Sequence, residues 1–255
     1  MGRRAVPRHS QRGRALAVTG DLFHMHWRDL AKHVRRTVGQ VDALIVDAPY
    51  SERTHSGQPD PGQDGTHRRP LAYASWSAVD VADFCATWVP LVSGWIVSIT
   101  DSELCSAWRE GMEAAGRLSF QPLALVERSM TVRKTGDGPS SWVTWGVVGR
   151  PRGREWARWG TLDGAYVGNQ EPKQVVGGKP LWLMERLVED YTRPGDLVCD
   201  PCMGAGTTLL AAKLLGRRYI GGDLDESHVE IARERLRDLP AQPKKGTLAL
   251  PWEKP

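Results

Sequence analysis

An α/β fold, with a mostly parallel sheet covered by helices on both faces, follows from three features of the 255-residue sequence. Short apolar runs recur, helical patterns follow several of them, and Gly, Asp and Pro punctuate the ends of the runs. Strand followed by helix, repeated, brings strands back parallel, because each crossover returns the chain to the same edge of the sheet. In such sheets ligands collect at the carboxyl ends of the strands, so the motifs must be read there.

In chain order, buried strands are expected at Ala15–Val18, Ala43–Val46, Trp95–Ile99, Leu197–Cys199 and Tyr219–Gly222. Helices are expected over 24–37, 78–91, 102–115, 180–191, 206–216 and 226–238. The last shows the logic most clearly, with Val229, Ala232 and Leu236 on one face and Glu230, Arg233 and Arg237 on the other. Ser77 and Asp80 form a capping-box start, and Asp101 has the chemistry of an N-cap. Residues 118–127 and 142–149 read as a pair of strands with no helix between them. Segments 51–76 and 150–176 fit neither pattern, and loops of that length in a compact domain are functional or disordered.

Composition bounds the rest. With 40% hydrophobic and 25% charged residues, the chain suits one well-buried core. Five arginines within residues 1–14 predict a disordered basic arm, and the Pro/Lys-rich stretch 239–255 a tail. A net charge of +4 permits a polyanionic partner without establishing one. No apolar run approaches the ~18 residues of a membrane span, and no apolar segment follows Met1-Gly-Arg-Arg4, so neither a membrane protein nor a signal peptide is expected. Cys85, Cys105, Cys199 and Cys202 are too few for a disulfide framework. Cys199 and Cys202 have zinc or redox spacing but no second pair, so no metal is expected.

Three motifs carry chemistry. Asp200-Pro201-Cys202-Met-Gly204-Ala-Gly206-Thr207-Thr208 follows a strand and opens a helix. Its glycines let backbone pass close to a ligand, and the helix start offers free N–H groups. No Lys follows Gly206, which excludes a P-loop, and Leu209 spoils the dinucleotide fingerprint. Nearly twenty residues past the glycines, Asp223 ends the next strand, where a carboxylate can accept two ribose hydroxyls; Asp225 is the helix cap. The pair suggests a nucleoside ligand without pyrophosphate. Third, Asp47-Ala48-Pro49-Tyr50 ends the strand Ala43–Val46. Asp47 and the Ala48 carbonyl can accept both hydrogens of an amino group on a planar base, while Tyr50 stacks on it.

This ordered set, with Gly20-Asp21 and Gly178-Lys179-Pro180, resembles the S-adenosylmethionine-dependent DNA amino-methyltransferases. The order is similar to their permuted (beta) group, where the target-base motif comes first. Asp47–Tyr50 resembles that family's D-P-P-Y, Asp200–Thr208 its D-P-F-x-G-S-G-T-T, and 219–233 its ribose-binding strand and helix. The resemblance covers roughly residues 15–238 and implies a Rossmann-like methyltransferase domain there, with 51–76 as a target-side loop and 150–176 as a short target-recognition segment. It departs from the pattern at Ala48, which keeps the backbone carbonyl, and at Cys202, which loses an aromatic.

The resemblance implies that S-adenosylmethionine lies over Asp200–Thr208, with its ribose on Asp223, its adenine near Asp21, and its methionine end closed by Lys179 and Pro180. A base turned out of duplex DNA would meet Asp47 and Ala48. Aspartate at 47 resembles the adenine-N6 members more than the cytosine-N4 members, which often carry serine there. The rival readings are an RNA or small-molecule methyltransferase and a non-catalytic subunit binding S-adenosylmethionine or nucleic acid. Candidate DNA contacts are Arg53, His55, Arg68 and Arg69 after the base motif, and Arg150, Arg152, Arg154 and Arg158 interleaved with Trp156 and Trp159. The family also implies a cytoplasmic, nucleoid-associated protein of a prokaryote or phage, with a role in restriction–modification among others, and it admits a homodimer.

Overall fold

The computed structural model describes residues 20–56, 74–128 and 142–238, apart from positions 154, 155, 157, 158, 174 and 176. The expected strand Ala15–Val18, the basic arm, the tail, Arg68, Arg69, Arg154 and Arg158 lie outside the described residues.

Five strands run parallel in the order β1 (Asp21–His24), β9 (Arg218–Asp223), β8 (Leu197–Asp200), β2 (Ala43–Asp47), β3 (Ile96–Thr100). Beyond β3 the sheet turns mixed. β6 (Val143–Pro151) runs antiparallel to β3, β5 (Leu123–Arg128) antiparallel to β6, and β7 (Ala165–Asn169) parallel to β5. β4 (Arg117–Ser119) pairs with the last residues of β6.

Central strands are apolar on both sides because both faces are covered. Leu44 and Val46 of β2, with Ile96 of β3 and Cys199 of β8, pack under α1 (Trp27–Thr37), α3 (Ala78–Trp88) and α4 (Cys105–Ala114). Ile45, Val97, Ile99 and Val198 point the other way, against α5 (Leu181–Tyr191) and α6 (Thr207–Leu214). Val229, Ala232 and Leu236 of α7 (Glu226–Arg237) close over Leu209 and Leu210 of α6, on the apolar face read from the sequence.

The crossovers locate the crevice. From β8 the chain passes through α6 to β9, whereas from β2 it passes through α3 to β3, on the opposite face and in the opposite direction along the sheet. Neighbours whose crossovers diverge leave a gap at their carboxyl ends. Asp200 ends β8, Asp47 ends β2 and Asp223 ends β9, so three carboxylates border it.

Local differences from the sequence reading have local causes. A half-exposed edge strand occupies Asp21–His24, and α1 starts only at Trp27, where His26 caps the helix by accepting from the Arg28 N–H at 3.1 Å. The expected strand 118–127 splits in two around Phe120–Pro122, since proline has no N–H for the ladder. β7 lies in a segment the pattern left unassigned; only Tyr166 of its five residues is buried, so it carries little apolar signal. The capping box on α3 forms as read, and α4 begins at Cys105 after a turn over 102–104.

Gly206 shows how tightly the crevice floor is built. It caps α6 with φ 74°, and a Cβ there would stand 2.8 Å from Ala232 Cβ on α7. Gly206→Ala therefore meets both left-handed strain and a clash, and should destabilise the protein by about 2 kcal/mol or more in urea unfolding. A loss below about 0.5 kcal/mol, the scale of a neutral surface change, would contradict this packing.

Candidate active site

The floor of the crevice is the turn between β8 and α6. Asp200, 1% exposed, accepts from Thr208 Oγ1 at 2.5 Å and from the Cys202 N–H at 3.1 Å. Burial pushes its carboxyl up to about 7; those two hydrogen bonds oppose the shift, and Asp47 and Asp223 add to it. The Met203 N–H donates to Gly222 O at 3.0 Å, stitching the turn to β9. The Gly204 N–H donates to Asp223 Oδ2 at 2.9 Å. With φ 50° and only Val175 Cγ2, at 3.9 Å, near a would-be Cβ, Gly204 leaves open space over the backbone. Asp223 Oδ1 accepts from the Asp225 N–H at 2.9 Å and lies 3.2 Å from His228 Nδ1. That contact raises the His228 pKa, with burial opposing it.

The wall on the β2 side is held from behind. Tyr50 Oη donates to Asp47 Oδ1 at 3.1 Å, and Lys179 Nζ lies 2.6 Å from Asp47 Oδ2. Lys179 also donates to Gly177 O at 3.0 Å and stands 5.1 Å from the centre of the Tyr50 ring. Burial works against the ammonium charge, but Asp47 and Tyr50 more than offset it and raise the Lys179 pKa. Burial and the neighbouring Asp47 likewise raise that of Tyr50. The chain beyond Tyr50 is anchored by Asp101 at the end of β3. Its carboxylate accepts from the Ser51 N–H at 2.9 Å, Ser51 Oγ at 2.5 Å, Thr54 Oγ1 and the Leu104 N–H at 3.2 Å. Burial opposes ionisation of Asp101, and the bonds from Ser51 and Thr54 outweigh it, leaving the pKa lowered.

A cavity of about 320 Å³ joins the two sides, lined by Asp47, Pro49, Lys179, Asp200, Gly204 and Asp223 among others. Pro201, Cys202 and Thr207 also reach it. The remaining site candidates support the cavity without lining it: Ala48 is buried in the core, Tyr50 backs Asp47, Gly206 caps α6, and Pro180 is the N-cap of α5. Asp21 is not brought to the cavity. It opens β1 in register with Ile220, while His24 at the other end pairs with Asp223.

The basic candidates separate. Arg53 and His55 belong to the short helix α2 (Glu52–Ser56) that follows the base motif, with Arg53 paired to Glu103 at 3.1 Å. Arg152 is exposed, but it follows the end of β6 where Gly149 pairs with Ile96, at the amino edge of the sheet and away from the cavity. Trp156 and Trp159 stack on each other 5.4 Å apart and pack edge-on against Trp95, which precedes β3 at that same edge. Both are partly buried and pack against the core on that side of the sheet. Sequence reasoning missed the aromatic side of the cavity, His26, Trp27 and Trp76, and it missed His228. A His five residues beyond Asp223 was a usable signal; Trp76 gave none.

Residues 145–234 match the family model described as DNA methylase. The type II methyltransferase M2.DpnII of Streptococcus pneumoniae is 48% identical over 58 residues, 23% of this chain and 22% of that protein. M1.MboII of Moraxella bovis is 44% identical over 84 residues, 29% of this chain and 32% of its own. M.HinfI of Haemophilus influenzae is 38% identical over 65 residues, 26% and 18%. The aligned stretches thus span about a fifth to a third of the length of these curated relatives. In fold, the chain matches the M1.HpyAVI–SAM complex with a TM-score of 0.63 at 21% identity, over 84% of this chain and 98% of that one. It matches the cytosine-N4-specific PvuII DNA methyltransferase with a TM-score of 0.62 at 13% identity, over 88% and 89%. The matched segment takes in Lys179, the Asp200–Gly206 turn and Asp223. Residues 145–234 thus resemble DNA methylases, and the chain as a whole shares the fold of these two solved structures.

Proposed function

We propose that this chain transfers a methyl group from S-adenosylmethionine to the exocyclic amine of a base in DNA, adenine N6 in preference to cytosine N4. The observation that carries the reading is one cavity bordered by both Asp47 of the base motif and the Asp200–Gly204 turn with Asp223. Its volume of about 320 Å³ suits a ligand of nucleoside size. Open backbone at Gly204 leaves room above the turn, and the carboxylates of Asp47, Asp200 and Asp223 suit a ligand carrying a cationic sulfur. Asp223 would hold the ribose and Lys179 the methionine carboxylate. Arg53 and His55 of α2, with Arg68 and Arg69, would meet the phosphates next to the base that has left the stack. The aspartate at 47 is what favours adenine.

Bound S-adenosylmethionine supplies a methyl group on a sulfonium, an electrophile that needs only an aligned nucleophile. Asp47, on the cavity lining, would accept one amino hydrogen and so help aim the nitrogen lone pair; the Ala48 carbonyl, just behind the lining, would need the base seated deeply to accept the other. Tyr50, donating to Asp47 Oδ1, fixes the carboxylate plane. As the N–C bond formed and the S–C bond broke, leaving a neutral thioether, positive charge would pass to the nitrogen, so the Asp47 carboxylate would stabilise the transition state more than the ground state; the surplus amine proton would then leave to solvent. Asp101 acts one step back, by fixing the chain beyond Tyr50.

Incubation with S-adenosylmethionine and unmethylated DNA, followed by nucleoside mass spectrometry, should yield N6-methyladenine. N4-methylcytosine would overturn the base preference, and no methylated base would overturn the activity. Asp47→Ala should retain cofactor binding while turnover falls by roughly 10²–10³-fold; undiminished turnover would remove Asp47 from the mechanism.

Asp200 gives a pH signature. Because its folded-state pKa is raised to about 7, its contribution to stability is fully present below the ordinary carboxylate range, near 4, and is lost as pH rises through about 7. A sulfonium cation beside it favours the ionised form. Binding of S-adenosylmethionine near pH 7 should therefore release part of a proton, measured by calorimetry in buffers of different ionisation enthalpy. S-adenosylhomocysteine, with a neutral sulfur, should release less; equal release from the two would count against sulfonium proximity to Asp200.

A further inference from the structure

The carboxylate assigned to receive the base is already engaged. Asp47 Oδ2 lies 2.6 Å from Lys179 Nζ and Oδ1 accepts from Tyr50, and the Lys179 side chain is 7% exposed against 23% for Asp47. An ammonium at that distance neutralises the charge that should offset the developing cation on the amine, and it occupies the oxygen an amino hydrogen would approach. It cannot simply swing away, because a buried ammonium left without an anion is costly. The same Lys179 lines the cavity shared with Asp200, Gly204 and Asp223, where a second carboxylate could take the place of the first.

Resting on the cofactor reading above, we propose that Lys179 is a latch joining the two halves of the site. In the free protein it closes Asp47, and it moves to the cofactor's amino-acid carboxylate when that arrives, so that Asp47 opens to the base only after the cofactor is bound. The exchange trades one ion pair for another at Lys179, the more buried partner, and leaves Asp47, 23% exposed, with the Tyr50 hydroxyl as its donor. Cofactor and target base then favour each other's binding, and the coupling runs through one side chain. The latch also protects the order of events, since a base would find the open carboxylate only in a loaded site.

The coupling can be read without DNA, because whatever holds Lys179 on Asp47 must be overcome by the arriving carboxylate. Calorimetric titration would use two ligands: S-adenosylhomocysteine, which carries the carboxylate and a neutral sulfur, and 5′-methylthioadenosine, which has the nucleoside and sulfur alone. Asp47→Asn should tighten S-adenosylhomocysteine about tenfold and leave methylthioadenosine unchanged. Lys179→Met should weaken S-adenosylhomocysteine only, and in that background Asp47→Asn should have no further effect. Methylthioadenosine affinity reports that each variant pocket is intact. The latch is overturned by an unchanged S-adenosylhomocysteine affinity in Asp47→Asn, by an effect that persists in the Lys179→Met background, or by one shared equally with methylthioadenosine. Failure of the unmodified protein to bind either ligand would instead overturn the cofactor reading, and the latch with it.

Discussion

Three carboxylates ending three neighbouring strands are the constraint around which this molecule is arranged. Asp47, Asp200 and Asp223 face one cavity, and the other two carboxylates add to burial in holding the Asp200 pKa up. Each is relieved in a different way. Asp223 takes hydrogen bonds from two backbone N–H groups, those of Gly204 and Asp225, and sits beside His228. Asp47 is neutralised by Lys179 and steadied by Tyr50. Asp200, the most deeply buried, keeps a proton to higher pH and shares a hydrogen bond with Thr208. A site prepared in this way holds latent negative charge, uncovered at Asp200 when a cation displaces its proton and at Asp47 when an anion draws Lys179 away.

The scaffold serves that arrangement from below and from the sides. Parallel pairing of β9, β8, β2 and β3 aligns the ends of the strands, and the diverging crossovers keep helices from covering the gap between β8 and β2. Packing covers both faces of these strands, so the carboxylates are carried by the ends of a packed sheet rather than by loops. The one segment that must leave the sheet and still be held, the chain after Tyr50, is tied to Asp101 on the adjacent strand end. The aromatic flank formed by Trp27 and Trp76 rests on Phe84, so the apolar wall of the cavity is continuous with the core.

What the sequence discloses follows from the range over which each signal acts. Turn chemistry is local, so the Asp200–Gly206 turn, the position of Asp223 and the Asp47–Tyr50 motif could all be read directly, as could the capping box at Ser77. Buried strands with both faces covered announce themselves as apolar runs, and those at 43–46, 95–99, 197–199 and 219–222 are found with ends shifted by only a residue or so. Edge strands do not: β1 and β7 are half-exposed, and their side chains answer to solvent as much as to packing. Nor could partners distant in sequence be read. Lys179 and Asp47 are separated by 132 positions and meet only because α5 begins beside the end of β2. Trp156 and Trp159 looked like a basic-aromatic surface because composition cannot say which end of a sheet a segment reaches.

The two departures from the family pattern fall where the structure can absorb them. Ala48 is buried in the core beneath the crevice, and the turn that a proline ring would stiffen is held instead by the Tyr50–Asp47 bond and the Asp101 anchor. Cys202 stands on the cavity lining with a small side chain where the pattern has an aromatic, which widens the floor without adding charge. Burial and then the neighbouring Asp200 push its thiol well above the ordinary range, and the same two causes act on Cys199. A thiolate is the nucleophile and metal ligand, and the raised pKa values favour the thiol at both positions. The floor of the crevice is thus left to hydrogen bonding and shape, and the reactive groups bordering it are the carboxylates and the lysine that guards one of them.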